Sequence, residues 1–391
     1  MKMDRRHFLR SASGLAALNF AAVPSAWASA DADAPRLLVV MLRGGMDGLT
    51  AVPPVGDADY EAIRPTIGIR GGLRLDGSFA LHPAMKQLHQ IWNDGQLAIV
   101  HATGFAYTGR SHFEGQDIMQ SGMAKPYTSS SGWLGRAMQA AQAGGGVAIS
   151  IPMPLILRGN HQASTQFPNW MPIPSEPVAQ ALTQVWASDP LLAPLAPVIQ
   201  TESLRLRQTQ NVRPDFATAR SLPELGRLAA EEMRAPQGPR LGLIDFTHGF
   251  DTHASQGGDT GSHADLLATL DRVVAAFKTH MGPMWAKSLV VTVTEFGRTA
   301  AENGTTGTDH GVGSCCLLAG GLVHESRVYA QWQGLRKPQL FEGRDLPATT
   351  DVAAVYARVV ERVFGLPPAL INEQVLAHRK NPALKGLLDL G

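Results

Sequence analysis

Six short apolar runs bounded by turn residues constrain the fold more than any other feature of the chain. Several of them do not alternate apolar with polar residues, which is typical of strands buried on both faces of a sheet. Amphipathic helical patterns lie between them, most clearly at 262–280 and from Val352 to the stop signals Gly365 and Pro367. Strands that alternate with helices predict an α/β fold with a central, mostly parallel sheet flanked by helices. The runs are 36–42, 96–101, 146–151, 241–246, 289–294 and 314–319.

The first 30 residues predict a twin-arginine export signal. Arg5 and Arg6 precede an apolar stretch at 15–23 and a run of small residues that ends at Ala30. The apolar stretch is shorter than the roughly 18 to 20 residues that a membrane span needs. We therefore expect export by the twin-arginine translocation machinery, cleavage near Ala30, and a periplasmic or secreted mature chain, 31–391, without a stable membrane span. This export route carries folded proteins and is often used by those that load a metal or cofactor first.

The net charge excludes some classes of partner, and the cysteine positions exclude a long-range disulfide. The net charge is +1, with 34 basic and 33 acidic residues interspersed, which gives no electrostatic footprint for nucleic acid or for an anionic membrane. The two cysteines, Cys315 and Cys316, are adjacent, so they cannot form a long-range disulfide within one chain. We interpret them as small apolar strand residues; the alternative is a vicinal disulfide or a redox role.

The region at about 121–239 differs from the rest of the chain. It is rich in Pro, Gln, Ala and Ser and has helix-like segments but few apolar β runs. We interpret it as a helical region inserted into a single 31–391 domain. The alternative is a set of long surface excursions from that domain.

Acidic and imidazole side chains follow the predicted strands at several places. In an open α/β sheet, ligands bind at the carboxyl ends of the strands. Oxygen and imidazole ligands together suit Zn²⁺ or a similar divalent ion, although Asp47 alone also suits a turn and 245–256 a hydrogen-bonded structural loop. These clusters predict a metal-assisted hydrolytic site. The candidate metal ligands, or groups supporting them, are Asp47, Asp251, His253, Glu295, Asp309 and His310.

A second set of residues is suited to catalysis. Ser111 and Glu114 fit the Ser-x-x-Glu capping box of a helix start, where backbone N–H groups favour an anion. A nucleophile attacking phosphate or sulfate would benefit from that position. Arg298 and Arg43 offer planar guanidinium groups for non-bridging oxygens, and His112 is placed either to transfer a proton or to pack beside the cap.

Seven collinear motifs give the chain a resemblance to the exported family DUF1501 over nearly all of the predicted mature sequence. They are LRGGMDGL at 42–49, LHPA at 81–84, RSHFEGQD at 110–117, GWLG at 132–135, FDTH at 250–253, TEFGR at 294–298 and TDHG at 308–311. That family in turn resembles the alkaline-phosphatase-like superfamily of phosphatases, sulfatases and cofactor-independent phosphoglycerate mutases.

The superfamily resemblance implies roles for individual residues. Asp47 matches the acid after the first strand, and Ser111 is the best match to the nucleophile at a helix start. Asp251 and His253 match one set of metal ligands, Glu295 the acid that ends a late strand, and His310 the final histidine. The implied activity is a metal-dependent hydrolysis of phosphate or sulfate esters, on a small-molecule or glycan anionic ester.

Two departures from the superfamily pattern keep a rival hypothesis open. The superfamily usually has Asp-x-x-x-His where this chain has Asp251-Thr-His253, and Asp-His where it has Glu295-Phe296. Such an altered ligand set is compatible with one metal instead of two, or with none. The rival is a non-catalytic exported binding or envelope-assembly protein on the same scaffold.

Overall fold

A nine-stranded sheet forms the centre of the protein. The computed structural model describes residues 33–143, 145–149, 153–160, 163–166, 176–187, 189, 192–193, 222–235, 238–246, 249–376, 384 and 386–388. The strands are β1 (Arg36–Leu42), β2 (Leu73–Arg74), β3 (Ala80–Leu81), β4 (Leu97–Gly104), β5 (Gly146–Ile149), β6 (Ser164–Gln166), β7 (Leu241–Phe246), β8 (Ser288–Val293), β9 (Ser314–Ala319), β10 (Arg327–Tyr329) and β11 (Thr350–Asp351).

Ten α-helices connect these strands within the described residues. They are α1 (Gly48–Ala51), α2 (Tyr60–Ile63), α3 (Lys86–Asn93), α4 (His112–Ser121), α5 (Trp133–Ala140), α6 (Glu176–Trp186), α7 (Leu222–Arg234), α8 (Ser262–Met281), α9 (Val352–Phe364) and α10 (Pro368–Leu370). Short 3₁₀ turns and a π-helical turn at Ile371–Val375 complete the described elements.

The main sheet has the strand order β10-β4-β9-β8-β1-β7-β5-β6, and β11 also pairs with β4. Every described pair in it is parallel except the two made by β9, which runs antiparallel to β4 and β8. The predicted α/β fold with a mostly parallel sheet is therefore confirmed. The six predicted strands and the two predicted helices are also confirmed, with their ends displaced by at most a few residues.

Both faces of the sheet are covered because side chains on β1 alternate between two hydrophobic cores. Leu37, Val39 and Met41 pack in one core with α5 and α9. Leu38, Val40 and Leu42 pack in the other with α3, α7 and α8. This two-sided burial explains why the strands are apolar at consecutive positions rather than at alternate ones.

The described parts of the region 121–239 contribute to the sheet and its flanking layers. β5 and β6 pair in the main sheet, α5 lies in one hydrophobic core, and α7 packs against α8. An inserted helical region stays a prediction for the remainder, much of which lies outside the described residues. The predicted export signal at 1–30 also lies outside them. In the part of the chain that the structure describes, no helix has the length and apolarity to cross a bilayer.

The two cysteines lie on β9 as free, buried thiols. Burial raises the pKa of Cys316 to about 12. Their interpretation as apolar strand residues is therefore confirmed.

Candidate metal centre

The polar segments that follow four strands meet at one edge of the sheet. Chain segments leave the carboxyl ends of β1, β4, β7 and β8 there, as expected for parallel strands. Because β9 runs in the opposite direction, the loop 294–313 joins two strands at this same edge. β11 pairs with Thr103 and Gly104 at the end of β4, so the chain leading into β11 arrives there as well.

Three histidine rings and one carboxylate converge at this edge. The Nε2 atom of His310 lies 3.0 Å from Nε2 of His112 and 3.0 Å from Nε2 of His253. The carboxylate of Asp251 lies 2.9 Å from Nε2 of His253, 3.1 Å from Nε2 of His310 and 3.4 Å from Nε2 of His112. Ligand atoms of His112, Asp251 and His310 all fall within 4.8 Å of one another.

The opposite nitrogen of each ring faces a hydrogen-bond acceptor. His112 Nδ1 lies 2.8 Å from Glu295 Oε1, and His253 Nδ1 lies 3.2 Å from Asp309 Oδ1. His310 Nδ1 lies 2.9 Å from the carbonyl oxygen of Arg110. Carboxylates and carbonyls accept hydrogen bonds, so each Nδ1 carries the proton and donates it. In the neutral rings, all three Nε2 atoms then direct a lone pair towards the cluster.

Lone pairs and a carboxylate that face one another repel unless a positive charge lies between them. A proton on one imidazole or a bound cation supplies that charge. Hydrogen bonding to Glu295 raises the pKa of His112 despite partial burial, so this ring takes up a proton more readily than His310 does. Burial lowers the pKa of His310, and the neighbouring charge of His112 lowers it further.

The donor set fits a divalent metal ion. Ligand atoms about 2.0–2.2 Å from zinc at the corners of a tetrahedron lie about 3.3 Å apart, and the separations around Asp251 and His310 span 2.9–3.4 Å. Imidazoles that donate their second N–H to a carboxylate or a carbonyl are the usual arrangement of metal-binding histidines, because that bond fixes the tautomer and the ring orientation. His112, His310 and Asp251 could therefore hold the ion together, and His253, which lies beside His310 and Asp251, could supply a further ligand.

Arg298 lies beneath this cluster and holds Asp251 in place. Its side chain is buried, and Nη1 donates to Asp251 Oδ1 at 2.7 Å and to the Gly44 carbonyl at 3.3 Å. Nη2 donates to the Thr308 carbonyl at 2.6 Å. Although partial burial opposes it, hydrogen bonding to Arg298 lowers the pKa of Asp251 to about 2, so the carboxylate is ionised at neutral pH. The structure thus places Arg298 against the carboxylate rather than in solvent.

Close backbone packing brings β1 and the Asp251 segment together. Gly44 has a φ of +108°, and a Cβ atom on it would lie 2.5 Å from the amide nitrogen of Asp251. Its own N–H donates to Glu295 Oε1 at 2.9 Å. Only glycine adopts this backbone conformation without strain and leaves room for the neighbouring chain.

Asp47 lies apart from the cluster, in a buried ion pair. Arg64 donates to both of its oxygens, at 2.6 and 3.1 Å, and Gln256 and Thr50 donate to Oδ2 at 2.8 and 2.7 Å. The carboxylate also caps α1 by accepting from the Leu49 N–H. Burial alone would raise the pKa of Asp47, but the charge of Arg64 outweighs burial and holds it well below its usual range.

The guanidinium of Arg43, which the sequence predicts to bind substrate oxygens, is paired with the carboxylate of Asp245. It donates to Asp245, with nitrogen–oxygen distances of 2.8 Å, and to Gln116 Oε1 at 2.5 Å. Gln116 in turn donates to Glu295 Oε1 at 3.1 Å. Arg43 therefore connects to the His112 ring through Gln116 and Glu295.

Ser111 is the N-cap residue of α4, next in the chain to His112 and Arg110, which both take part in the cluster. The predicted capping box does not form. The Ser111 hydroxyl does not cap the first turn, and Glu114 instead accepts from the Tyr107 hydroxyl at 2.5 Å. Tyr107 competes for Glu114 because its phenol reaches back over the helix start.

The structure thus brings together Asp251, His253 and His310 among the predicted ligands, with Glu295 and Asp309 each one hydrogen bond away. His112, predicted for proton transfer, joins the cluster because its ring leaves the first turn of α4 towards Glu295. Arg64 and Arg344 carry no signal in the sequence, since they follow no strand-end pattern, and Gln116 appears there only within the motif RSHFEGQD. Only the folded chain pairs Arg64 with Asp47 and places Gln116 and Arg344 beside the cluster.

Comparison with solved structures finds similar proteins at low identity. The C-terminal periplasmic domain of EcEptC from Escherichia coli, in complex with Zn, is 13% identical over 91% of this chain and 89% of that chain, with a TM-score of 0.39. The PsFucS1 sulfatase from Pseudoalteromonas sp. is 12% identical over 86% and 69%, with a TM-score of 0.37. The phosphonate monoester hydrolase of Agrobacterium radiobacter is 8% identical over 88% and 78%, with a TM-score of 0.33.

Comparison of the sequence with curated proteins finds no match. A family model described as a protein of unknown function, DUF1501, matches residues 34–375, most of the chain and all of the residues of the cluster. The chain therefore belongs to the DUF1501 family.

Proposed function

We propose that this protein is an exported, metal-dependent hydrolase of phosphate or sulfate esters. The observation that carries the proposal is the convergence of three imidazole Nε2 atoms and the Asp251 carboxylate, with each Nδ1 held by an acceptor. Such a set of ligands is suited to zinc or a similar divalent ion. When bound, the ion supplies positive charge that polarises the ester and stabilises charge developing on its oxygens.

The chain's own residues would orient that ion and supply the nucleophile. Glu295 and Asp309 hold the rings of His112 and His253, and Arg298 keeps Asp251 ionised. The Ser111 hydroxyl would lose its proton and attack phosphorus or sulfur, while the ester oxygen takes up a proton and leaves as the alcohol; water would then attack the ester formed on Ser111 and release phosphate or sulfate. Its place at the start of α4, a helix of ten residues, puts backbone N–H groups near the oxyanion.

Metal content and turnover test this proposal together. We expect purified protein to hold about one divalent ion, and to lose turnover of aryl phosphates or aryl sulfates when a chelator removes it and regain turnover on refilling. His310→Ala should lose both metal and turnover. Protein that takes up no divalent ion, or that turns over equally well without one, would contradict the proposal.

Ser111→Ala tests the nucleophile separately. We expect it to bind the ion as wild type does but to lose at least about a thousandfold in kcat. Ser262→Ala, at the start of another helix, is the matched control and should keep full turnover. Unchanged kcat in Ser111→Ala would assign the attack to water instead.

A non-catalytic binding role is the second candidate, favoured by one observation. Asp47, Arg43 and Arg298, all predicted for the site, have carboxylate or guanidinium groups held by internal ion pairs. A binder would bind the ion and an anionic glycan or envelope component but turn over no ester, and its cellular role would survive Ser111→Ala.

Export completes the proposal and has its own test. Arg5 and Arg6 would engage the twin-arginine translocation machinery before cleavage near Ala30. Replacing both arginines by lysine should keep the full-length chain in the cytoplasm, as measured by cell fractionation. Normal export of that variant would contradict this route.

A further inference from the structure

Four arginine side chains lie around the candidate centre, and they differ in exposure. Those of Arg298, Arg43 and Arg110 are 0%, 19% and 22% exposed, whereas that of Arg344 is 41% exposed. A substrate anion arriving from solvent can reach only a guanidinium that faces solvent. Exposure therefore distinguishes Arg344 from the other three.

The same three arginines have carboxylate partners within hydrogen-bond distance. Arg298 pairs with Asp251, and Arg43 pairs with Asp245. Arg110 Nη2 lies 2.5 Å from Glu342 and 2.7 Å from Asp345. A guanidinium committed to a carboxylate would have to break that pair before binding a second anion.

Arg344 has donors to spare within the described structure. Its guanidinium makes one hydrogen bond to the described residues, from Nη2 to the carbonyl oxygen of His310 at 2.7 Å. Nη1 forms an ion pair with Asp345 Oδ1 at 3.6 Å, which is beyond hydrogen-bond distance, while the other oxygen of that carboxylate accepts from Arg110. The guanidinium is thus anchored to the residue whose ring enters the cluster, and its other donors make no hydrogen bond to the described residues.

Backbone pairing fixes this placement. Arg298 forms an isolated β-bridge with His310, and Thr299 forms one with Asp345. The Ala300 N–H also donates to the Arg344 carbonyl at 3.1 Å. The segment 298–300 therefore lies between His310 and the segment that carries Arg344, and it holds both by backbone contacts.

The charge balance of the centre calls for another cation. Asp251, Glu295 and Asp309 are three carboxylates within or directly beside the cluster. A divalent ion and Arg298 together only neutralise them. Tight binding of an anionic ester therefore benefits from a further positive charge at the rim.

We propose that Arg344 forms an anion-binding site beside the cluster, contacting the non-bridging oxygens of the phosphate or sulfate group while the ester oxygen faces His310. This inference rests on the proposed function and names the part of the substrate that Arg344 recognises. A guanidinium suits this task because its planar fork matches two oxygens of such a group.

Inorganic phosphate and sulfate are the probes. Calorimetric titration into zinc-loaded protein should show that Arg344→Ala binds the better of the two ions at least tenfold more weakly than wild type, with zinc affinity unchanged. Arg344→Lys should show an intermediate loss, since it keeps the charge but not the fork. Arg327→Ala, which removes the same charge from β10 at the other end of the strands, should bind as wild type does.

Two results would overturn the inference: equal affinity in Arg344→Ala and wild type, or no binding of either ion to zinc-loaded wild type. Failure of the proposed hydrolase is separable, because it appears as anion binding that depends on Arg344 without turnover of any ester. If esters are hydrolysed, Arg344→Ala should also raise KM at least tenfold.

Discussion

At the scale of single residues, Asp309 acts on the cluster through another side chain. It accepts from His253 Nδ1 and from Asn303 Nδ2, so in the proposed centre it would orient a ring rather than contact the ion. Asp309→Ala should therefore weaken zinc binding by about 10- to 100-fold, the range found for groups that support metal-binding histidines. Competition with a chromophoric zinc chelator measures this. Asp265→Ala, an exposed acid at the start of α8, is the control, and equal weakening in both variants would contradict the assignment.

Replacement of Asp47, unlike that of Asp309, should lower the stability of the fold and leave zinc binding unchanged, because the structure pairs Asp47 with Arg64. Breaking a buried ion pair leaves the other charge unpaired and costs about 3–5 kcal/mol. We expect Asp47→Asn to lower the free energy of unfolding by an amount in this range, measured by urea denaturation, while zinc affinity stays unchanged. A large loss of zinc affinity without loss of stability would instead make Asp47 a metal ligand, as the sequence resemblance implies.

At the scale of elements, the strand-end segments are held against one another by backbone contacts. The Gly297 N–H donates to the Val312 carbonyl at 3.0 Å, and the Gly311 N–H donates to the Gly297 carbonyl at 2.9 Å. A Cβ atom on Gly297 would lie 1.7 Å from the carbonyl oxygen of Gly313. These short backbone pairings position both Glu295 and His310 beside His112.

Gly297→Ala should therefore damage the fold and the site together. The clash is with backbone, so we expect a loss of about 3 kcal/mol or more in unfolding free energy and weaker zinc binding. Gly304→Ala lies in the same loop with open space around its Cβ position, and should change stability by no more than about 0.5 kcal/mol. A Gly297→Ala variant as stable as Gly304→Ala would show that this pairing is not required.

A bulge in β4 carries a histidine that makes stability depend on pH. His101 accepts from the Ala102 N–H at its Nδ1 and donates from Nε2 to the Val52 carbonyl. Burial lowers its pKa to about 4. Unfolded histidine binds a proton below about pH 6.5, so the unfolded chain binds more protons than the folded one between pH 6.5 and 4, and stability falls as pH falls through that window.

Urea denaturation of metal-free protein at pH 7.5 and 4.5 measures this effect. Replacing His101 by Gln should reduce the loss of stability between the two pH values by on the order of 2 kcal/mol. Buried His263, whose pKa is also lowered to about 4 by burial, keeps part of the dependence. An identical loss in wild type and His101→Gln would refute the role of this ring.

A strand could be predicted from the sequence only where its own residues carry the signal, and not where it forms through contact with a distant segment. β1, β7 and β9 were predictable to the residue because continuous apolar runs report burial on both faces. β10 and β11 were not, since two or three partly polar residues form a strand only because β4 lies alongside. No local sequence pattern indicates that β9 runs antiparallel to its neighbours, so its direction was not predictable either.

The same distinction applies to the site. Strand-end acids and histidines were recognisable, because the carboxyl edge of a parallel sheet gathers them. Which of them face one another was not, because Asp47 turns towards Arg64 and His112 towards Glu295 through contacts that no sequence spacing encodes.

At the scale of the whole molecule, the cluster joins segments that are far apart in the chain. His112 begins α4, Asp251 and His253 follow β7, and His310 precedes β9. A ligand that binds only the folded state stabilises it, by about 2.7 kcal/mol at a free concentration 100 times its Kd. Zinc bound at the proposed centre would therefore oppose separation of all three segments and should stabilise the entire sheet edge.

The melting temperature of metal-free protein should accordingly rise by a few degrees when zinc is added to about 100 times its Kd, since an unfolding entropy of about 2.1 cal/mol/K per residue means that about 1 kcal/mol moves the midpoint of a chain this long by only about 1–2 °C. Differential scanning calorimetry measures the rise. Asp251→Ala removes the ligand that faces all three rings and should abolish it, whereas Asp265→Ala should retain it. A zinc-dependent rise that persists in Asp251→Ala would locate the ion elsewhere, and no rise in wild type would leave the three segments joined by their hydrogen bonds alone.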